Sequence, residues 1–311
     1  HGLAYQAIAD ASIDVTDAYS TDGELERYDL KVLEDDLGYF PEYLAAPLVR
    51  RDLPASVLQA IGSLAGRIDA GRMQAMNSEV VFTGRSFASV ANEFLVAEGL
   101  SEVRDETDSL LEALLGNTLQ HLKLTATALV AAVLFGIGLS LLVFRNAVLS
   151  RAVTYFCGLL QTVPSIALLA LLIPLLGIGM APAVLALFLY SLLPILRNTL
   201  TALTTIDPTL IRVAEAMGMK PREQLRHVYL PLSAPSMFAG IRTAAVISIG
   251  TATLAAFIGA GGLGDPIVTG LALNDTNLIL QGAIPAAILA VLTELLFEGL
   301  ERWLIPASLR D

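Results

Sequence analysis

LTATALVAAVLFGIGLSLLVF, residues 124–144, holds no charged side chain in 21 positions. A helix crosses the hydrocarbon core of a bilayer with about 20 predominantly apolar residues, so this stretch reads as a membrane span. Outward from it, charge divides the chain near residue 123. Residues 1–123 carry 9 Lys/Arg and 21 Asp/Glu, a net of −12, whereas residues 124–311 carry 10 and 9, a net of +1. The whole chain of 311 residues is 55% hydrophobic and 16% charged. Ordinary soluble domains are only about 45–50% apolar, so one soluble domain and a disordered chain are both excluded. A formal charge of −11 argues against nucleic acid as a partner. A single cysteine, Cys157, excludes an internal disulfide framework and a Cys-based zinc cluster.

Five spans are expected, at roughly 124–144, 153–176, 178–198, 240–260 and 278–300. The second and third contain Pro164, Pro174, Pro182 and Pro194, which a membrane bundle tolerates when neighbouring helices satisfy the freed carbonyls. GIGMAP (177–182) is the turn between them. Basic residues set the orientation. Arg145 and Arg151 follow the first span, Arg197, Arg212, Lys220, Arg222, Arg226 and Arg242 surround the long loop after the third, and Arg302 and Arg310 end the chain. The turn at 177–182 and the loop at 260–277 carry none. The basic loops therefore belong in the cytoplasm, with the acidic N-terminal domain outside and the C-terminus inside. An outer N-terminal domain needs a signal or an upstream span. None is visible from His1, so a fragment or a processed form is expected.

Residues 1–100 read as a partial α/β domain. Residues 2–10 look like the end of a helix. ASIDVTDAYS (11–20) and LKVLED (30–35) alternate as strands do. Pro54 opens a helix to about Ile68, and residues 86–98 form another that Gly99 stops. Five of the eight tyrosines, Tyr5, Tyr19, Tyr28, Tyr39 and Tyr43, fall in the first 43 residues. Clustered rings suit a quaternary ammonium through cation–π attraction, but from composition alone the better reading is that they fill a half-buried α/β surface.

The run from His1 to Tyr43, above all DAYSTDG (17–23) and YFPEY (39–43), resembles the substrate-binding proteins for glycine betaine, carnitine and choline. The resemblance implies that Tyr19 and Tyr43 belong to an aromatic cage around a trimethylammonium group, while Tyr5, Tyr28 and Tyr39 are structural. It covers only the last third of that family's two-lobed binding fold. Residues 101–123 are expected to form a linker and an amphipathic pre-membrane helix.

The loop at about 204–232 carries the second signal. Asp207 and Pro208 suit the N-cap and first position of a helix. Leu210, Val213, Ala214 and Met217 give it an apolar face, and Gly218 stops it. Pro221 opens a second short helix, expected to end near Leu230-Pro231. Such an element either lies on anionic lipid or docks a cytoplasmic partner. AEAMGMKPREQLRHVYLP (214–231) resembles the EAA loop of ABC-importer permeases, with Glu215, Ala216 and Gly218 at the matching positions and Met217 and Met219 a mild departure. That resemblance implies a coupling helix that fits a cleft on an ATPase. QTVPS (161–165), LLPILRNT (192–199), GIRTAAVISIGTATLAAFIGAGGLGD (240–265) and GLALND (270–275) resemble osmoprotectant permeases specifically.

Other patterns read as structural. Gly259, Gly261 and Gly264 fit GxGxxG, but that motif needs a strand before it and a helix after it, and here it follows a span; close packing is the better reading. No GxxxxGK[ST] occurs, so ATP, and no cofactor of this chain, is expected on a partner subunit. Glu294, Glu298 and Glu301 suggest either a proton relay or pairing near the cytoplasmic interface, which the nearby Arg302 favours. His121 is expected at the outer interface. No metal spacing or nucleophile triad stands out, so the chain is not expected to be an enzyme.

The resemblance implies five transmembrane helices of the type I ABC importer permease fold, preceded by a partial type II binding domain. The implied function is ATP-driven import of quaternary ammonium solutes across the inner membrane. The implied partners are a cytoplasmic ATPase, a second permease copy and membrane lipid. An ion-coupled carrier, or an ABC importer of another small solute, is the alternative. A sensor would need fewer spans and a cytoplasmic output domain.

Overall fold

The computed structural model describes residues 2–41, 44–83, 85, 87–101, 109–273 and 275–306. Two compact units divide the chain, His1–Asp108 and Ser109–Asp311.

The first unit contains α1 (Gly2–Ala9), α2 (Glu24–Arg27), α3 (Ala55–Gly62), α4 (Ala70–Thr83) and α5 (Phe87–Ala97). Its described residues hold no strand, and the two stretches expected as strands, 11–20 and 30–35, run as turns and irregular chain. A strand exists only through the ladder it makes with a neighbour, and no neighbour pairs with these stretches among the described residues. The helix expected from Pro54 to Ile68 stops at Gly62, and the chain turns through Gly66, whose φ is +71°. Gly99, with φ +67°, closes α5 as expected. Around α4 the unit is well tied. Asn77 Nδ2 donates to the Thr21 carbonyl at 2.8 Å, and buried Tyr5 donates its hydroxyl to Asp22. A side chain on Gly23 would meet the Ser78 backbone nitrogen at 2.5 Å, so only glycine lets α2 approach α4 this closely.

All the regular secondary structure described in the second unit is helical. It runs α6 (Ser109–Val143), α7 (Ala147–Thr162), α8 (Ser165–Leu176), α9 (Met180–Thr204), α10 (Pro208–Ala216), α11 (Pro221–Gln224), a π segment (Leu225–Tyr229), α12 (Leu230–Ala252), a 3-10 segment (Thr253–Ile258), α13 (Gly264–Leu273) and α14 (Thr276–Leu304). Four helical stretches are long and apolar enough to cross a membrane, or five if the bent pair α7–α8 counts as one. The expected first span is part of a longer element. Its 35 residues make a rod of about 52 Å at 1.5 Å per residue, well beyond the ~30 Å hydrocarbon core.

The expected second span is not a straight helix: α7 and α8 meet at 98°. Proline drives the preceding residue out of the helical region, and Val163, before Pro164, is extended at φ −69°, ψ 125°. The side chain of Tyr190 donates to the Val163 carbonyl at the break. Nearby, Pro194 lies inside α9 and has no N–H for the carbonyl of Tyr190 four residues earlier. Gln161 Nε2 supplies that hydrogen bond at 2.7 Å. Two prolines and two polar side chains thus complete each other across α7 and α9.

α9 is the buried axis of the bundle. Ile195 and Leu196 are fully buried on it, and Ala128 and Ala132 of α6 and Ala244 of α12 are equally buried around it. Small residues set these approaches. A methyl on Gly240 would meet the Pro194 carbonyl oxygen at 2.9 Å.

The second short helix expected from Pro221 does not end at Leu230-Pro231. It continues through the π segment into α12, so residues 221–258 form one apolar stretch of 38 residues. Proline normally breaks a helix because the carbonyl four residues earlier loses its donor. Here the ladder shifts register just before Pro231: the Leu230 N–H bonds to Leu225 O, five residues back. A π bulge is a recognised way to absorb such a mismatch without ending the helix.

Candidate functional site

The loop between α9 and α12 is built by local rules. Asp207 accepts the Thr209 N–H at 2.7 Å, which caps α10 and holds the Asp207 carboxyl below its ordinary range. Pro208 occupies the first turn, where its missing N–H costs nothing. At the other end, Met219 N donates to Ala214 O at 3.1 Å and Gly218 N to Glu215 O at 2.9 Å. This pair is a Schellman closure. It requires a left-handed residue, and Gly218 has φ +78°. Open space surrounds Gly218, so its constraint is backbone conformation, not crowding. Gln224, buried, donates to the Met219 carbonyl at 3.1 Å and pins the turn to the start of α11.

Glu215, Ala216 and Gly218, the residues singled out from the sequence, are all exposed on this element. The apolar face of α10 divides in two. Ala214 is buried, whereas Leu210, Val213 and Met217 are 45%, 51% and 70% exposed. Residues three and four apart share one helix face, so these three form an unpartnered apolar row beside Ala216. The periodicity of the sequence contained this row, but only the structure separates its inward member from its outward ones. Behind α10 a cavity of about 420 Å³ is lined by Phe144, Arg145, Leu203, Arg212, Glu215 and Tyr229, among others. Phe144 and Tyr229 meet edge-on at 5.2 Å. Glu215 borders this cavity from α10 and remains exposed.

The GxGxxG segment is a packing device. Gly259, Gly261 and Gly262 all have positive φ, and no strand precedes them. A side chain on Gly264 would overlap the Thr253 carbonyl, and one on Gly282 would overlap the Leu263 carbonyl. The expectation for His121 is corrected: it is fully buried, with Nε2 3.0 Å from the Ile249 carbonyl. It reaches the point where α12 gives way to 3-10 geometry, and Gly262 leaves room for its ring. Of the acidic residues on α14, Glu294 and Glu301 lie 3.5 and 3.4 Å from Arg242 of α12, and Glu298 lies 2.5 Å from Arg302. Ion pairs occupy these carboxylates, two across to α12 and one along α14.

In the first unit Tyr19 is 54% exposed on the chain before α2. Tyr43 lies outside the described residues. Tyr39 is 82% exposed, beside Phe40 and above Asp35, which accepts both their N–H groups.

Comparison with known proteins adds the following. Residues 128–309 match the family described as binding-protein-dependent transport system inner membrane component. Residues 1–97 match the substrate binding domain of ABC-type glycine betaine transport system. The choline transport system permease protein OpuBB of Bacillus subtilis is 43% identical over 197 residues, covering 63% of this chain and 91% of the relative. The osmoprotectant import permease protein OsmW of Salmonella typhimurium is 43% identical over 198 residues, covering 62% and 92%. Among solved structures, the inward-facing MetNI methionine ABC transporter aligns with TM-score 0.56 and 22% identity, over 63% of this chain and 97% of that one. At that identity the likeness concerns the fold, which is the type I ABC importer permease fold.

Proposed function

The chain belongs to the binding-protein-dependent transport system inner membrane component family, and from that premise we propose that it imports quaternary ammonium solutes under ATP drive. It is a multi-pass membrane protein and an ABC importer permease joined to a substrate-binding domain. The glycine betaine, choline and carnitine class is its cargo; the names of the relatives, among them a glycine betaine/carnitine/choline transport system permease protein of Bacillus subtilis, support this. Hydrolysis falls to a separate cytoplasmic ATPase, since the chain contains no GxxxxGK[ST]. A second copy of the permease completes the pathway within the lipid bilayer. The basic loops face the cytoplasm and the acidic N-terminal domain faces outward.

The observation that carries the coupling role is the exposed row Leu210, Val213 and Met217 on a helix capped at both ends. Soluble surfaces rarely leave such a row unpartnered beside ordered polar residues. Docking there of the ATPase moves α10, and Gln224 links the same loop to the continuous helix 221–258. Displacement at the ATPase thus becomes displacement of a membrane helix, with the π segment as the compliant point. Outside, Tyr19 and Tyr43 serve the capture of the trimethylammonium group by cation–π attraction. Glu215, Ala216 and Gly218 serve the ATPase contact.

Co-purification tests this. The wild-type chain retains its ATPase through affinity purification in nanodiscs. Glu215→Lys and Gly218→Arg lower the retained ATPase by several-fold while membrane insertion is unchanged. Full retention in both variants refutes α10 as the docking element.

A further inference from the structure

Near the N-terminal ends of α6 and α14, a groove of about 640 Å³ opens against α13. On the orientation proposed above, these ends are the outer ends of the spans. Its floor is apolar, from Leu263, Ile284 and Pro285. Its polar side chains are the amides of Asn117, Asn277 and Gln281, the Thr269 hydroxyl and one ionisable group, Asp265. Among the described residues no Lys, Arg or His lines it, and no basic side chain pairs with Asp265. Asp265 sits in the first turn of α13, where the helix dipole favours a negative charge, and partial burial pushes its carboxyl above the ordinary carboxylate range. An unpaired, partly desolvated carboxylate asks for a cation. The volume suits a small organic molecule, and the apolar floor suits methyl groups better than a hydrated metal ion.

We propose that this groove is a quaternary ammonium site on the permease itself, with Asp265 facing the cationic nitrogen and the three amides available to the polar end of the solute. It rests on the cargo proposed above and adds to it a second recognition step, after release from the N-terminal domain. Specificity would then be read twice, by aromatic rings outside and by a carboxylate at the mouth of the bundle. The bulky, weakly hydrated trimethylammonium head loses little by leaving water, so one carboxylate in a partly apolar setting suffices to attract it.

Maleimide labelling of the full chain with its ATPase, in nanodiscs of phosphatidylglycerol, tests the site. Ala113→Cys places the label in the groove, and the wild-type chain, whose Cys157 is buried, is the blank. Saturating choline or tetramethylammonium is expected to slow labelling by at least about fivefold, as occupancy by mass action requires. Uncharged 3,3-dimethylbutanol is expected to give no protection. Asp265→Asn is expected to raise the choline concentration needed by about tenfold or more, each rate being read against that variant's own unprotected rate. Thr269→Lys, which puts a cation at the rim and leaves the first turn of α13 intact, is expected to lose protection too. Protection is expected to persist in Tyr19→Ala.

No protection, equal protection by the uncharged analogue, or protection that survives both Asp265→Asn and Thr269→Lys overturns the site. Protection in phosphatidylcholine nanodiscs without added solute makes the occupant a lipid headgroup and also overturns it. ATP-driven uptake of choline without groove protection refutes this site alone. Protection without uptake of any quaternary ammonium solute refutes the importer reading and leaves the site standing.

Discussion

The two units treat apolar side chains in opposite ways. In the helical unit, α9 is wrapped on several sides, and Ile195, Leu196, Ala128 and Ala244 are fully buried. In the N-terminal unit, Leu37, Tyr39, Leu44 and Leu48 are 81–102% exposed. Both stretches are apolar, but they depend on different things. Prolines apart, a membrane helix satisfies its backbone groups within itself, so its sequence specifies most of its local structure. A strand satisfies half of its backbone through a neighbour, so an alternating sequence is only a claim on a partner. Where none pairs with it among the described residues, as at 11–20 and 30–35, the chain runs as turns and irregular structure, and Val15, Val32 and Leu33 are 72%, 58% and 69% exposed.

The largest effect is expected at the tightest contact in the helical unit. Gly264→Ala drives a methyl into the Thr253 carbonyl. Backbone is on the far side of that overlap, so the expected loss is more than about 3 kcal/mol, read as a fall in unfolding temperature in detergent. Gly138→Ala, with open space around it, is expected to leave stability unchanged or raise it by up to about 1 kcal/mol.

Inside the N-terminal unit the same contrast sharpens at smaller scale. Leu25 is 4% exposed and Leu37 is 89% exposed. Leu25→Ala is expected to cost about 2–3 kcal/mol, and Leu37→Ala to stay within about 0.5 kcal/mol, by denaturant titration followed through hydrogen exchange in α2 and α4. An equal loss at both positions would show that Leu37 is packed.

At α10 the expected effect is smaller and local. Gly218→Ala puts a side chain into left-handed backbone without any clash, at about 1–2 kcal/mol. Faster exchange at the amides of Gly218 and Met219, with a several-fold weaker ATPase contact, is the expected reading. The smallest effect is the pH response of the N-terminal unit. Arg67 and Arg72 both reach Glu98 at 2.7 Å and hold its carboxyl below the ordinary value. The unfolded chain therefore binds this proton at higher pH than the folded one. The contribution is complete above the unfolded carboxylate value and fades as pH falls through the lower folded value. Glu98→Gln is expected to flatten the acid limb of the stability curve and to leave the membrane helices unaffected.

The membrane part was readable because its signals are local. Absence of charge marks 124–144, Asp207-Pro208 marks the start of α10, and Gly218 marks its stop; each acts within a few residues. What was not readable depended on distant partners. The 98° bend at Pro164 needs Tyr190 to be stable. Gln161 answers the carbonyl freed by Pro194 from another helix. Continuity through Pro231 depends on a register shift that no propensity scale encodes. His121 is buried because Gly262 and the Ile249 carbonyl, both distant in sequence, make a place for it. The expected strands failed for the same reason, since their partners are not among the described residues.

The central claim is that ATP hydrolysis on a partner drives quaternary ammonium solutes through this bundle by way of α10. Uptake of radiolabelled glycine betaine and choline into proteoliposomes carrying the chain and its ATPase tests it most directly, with Val213→Asp, Met217→Asp as the companion variant. Accumulation that requires ATP, ignores ion gradients and collapses in the variant is the expected result. Accumulation driven by an ion gradient without ATP, or ATP-driven accumulation untouched by the variant, would contradict it.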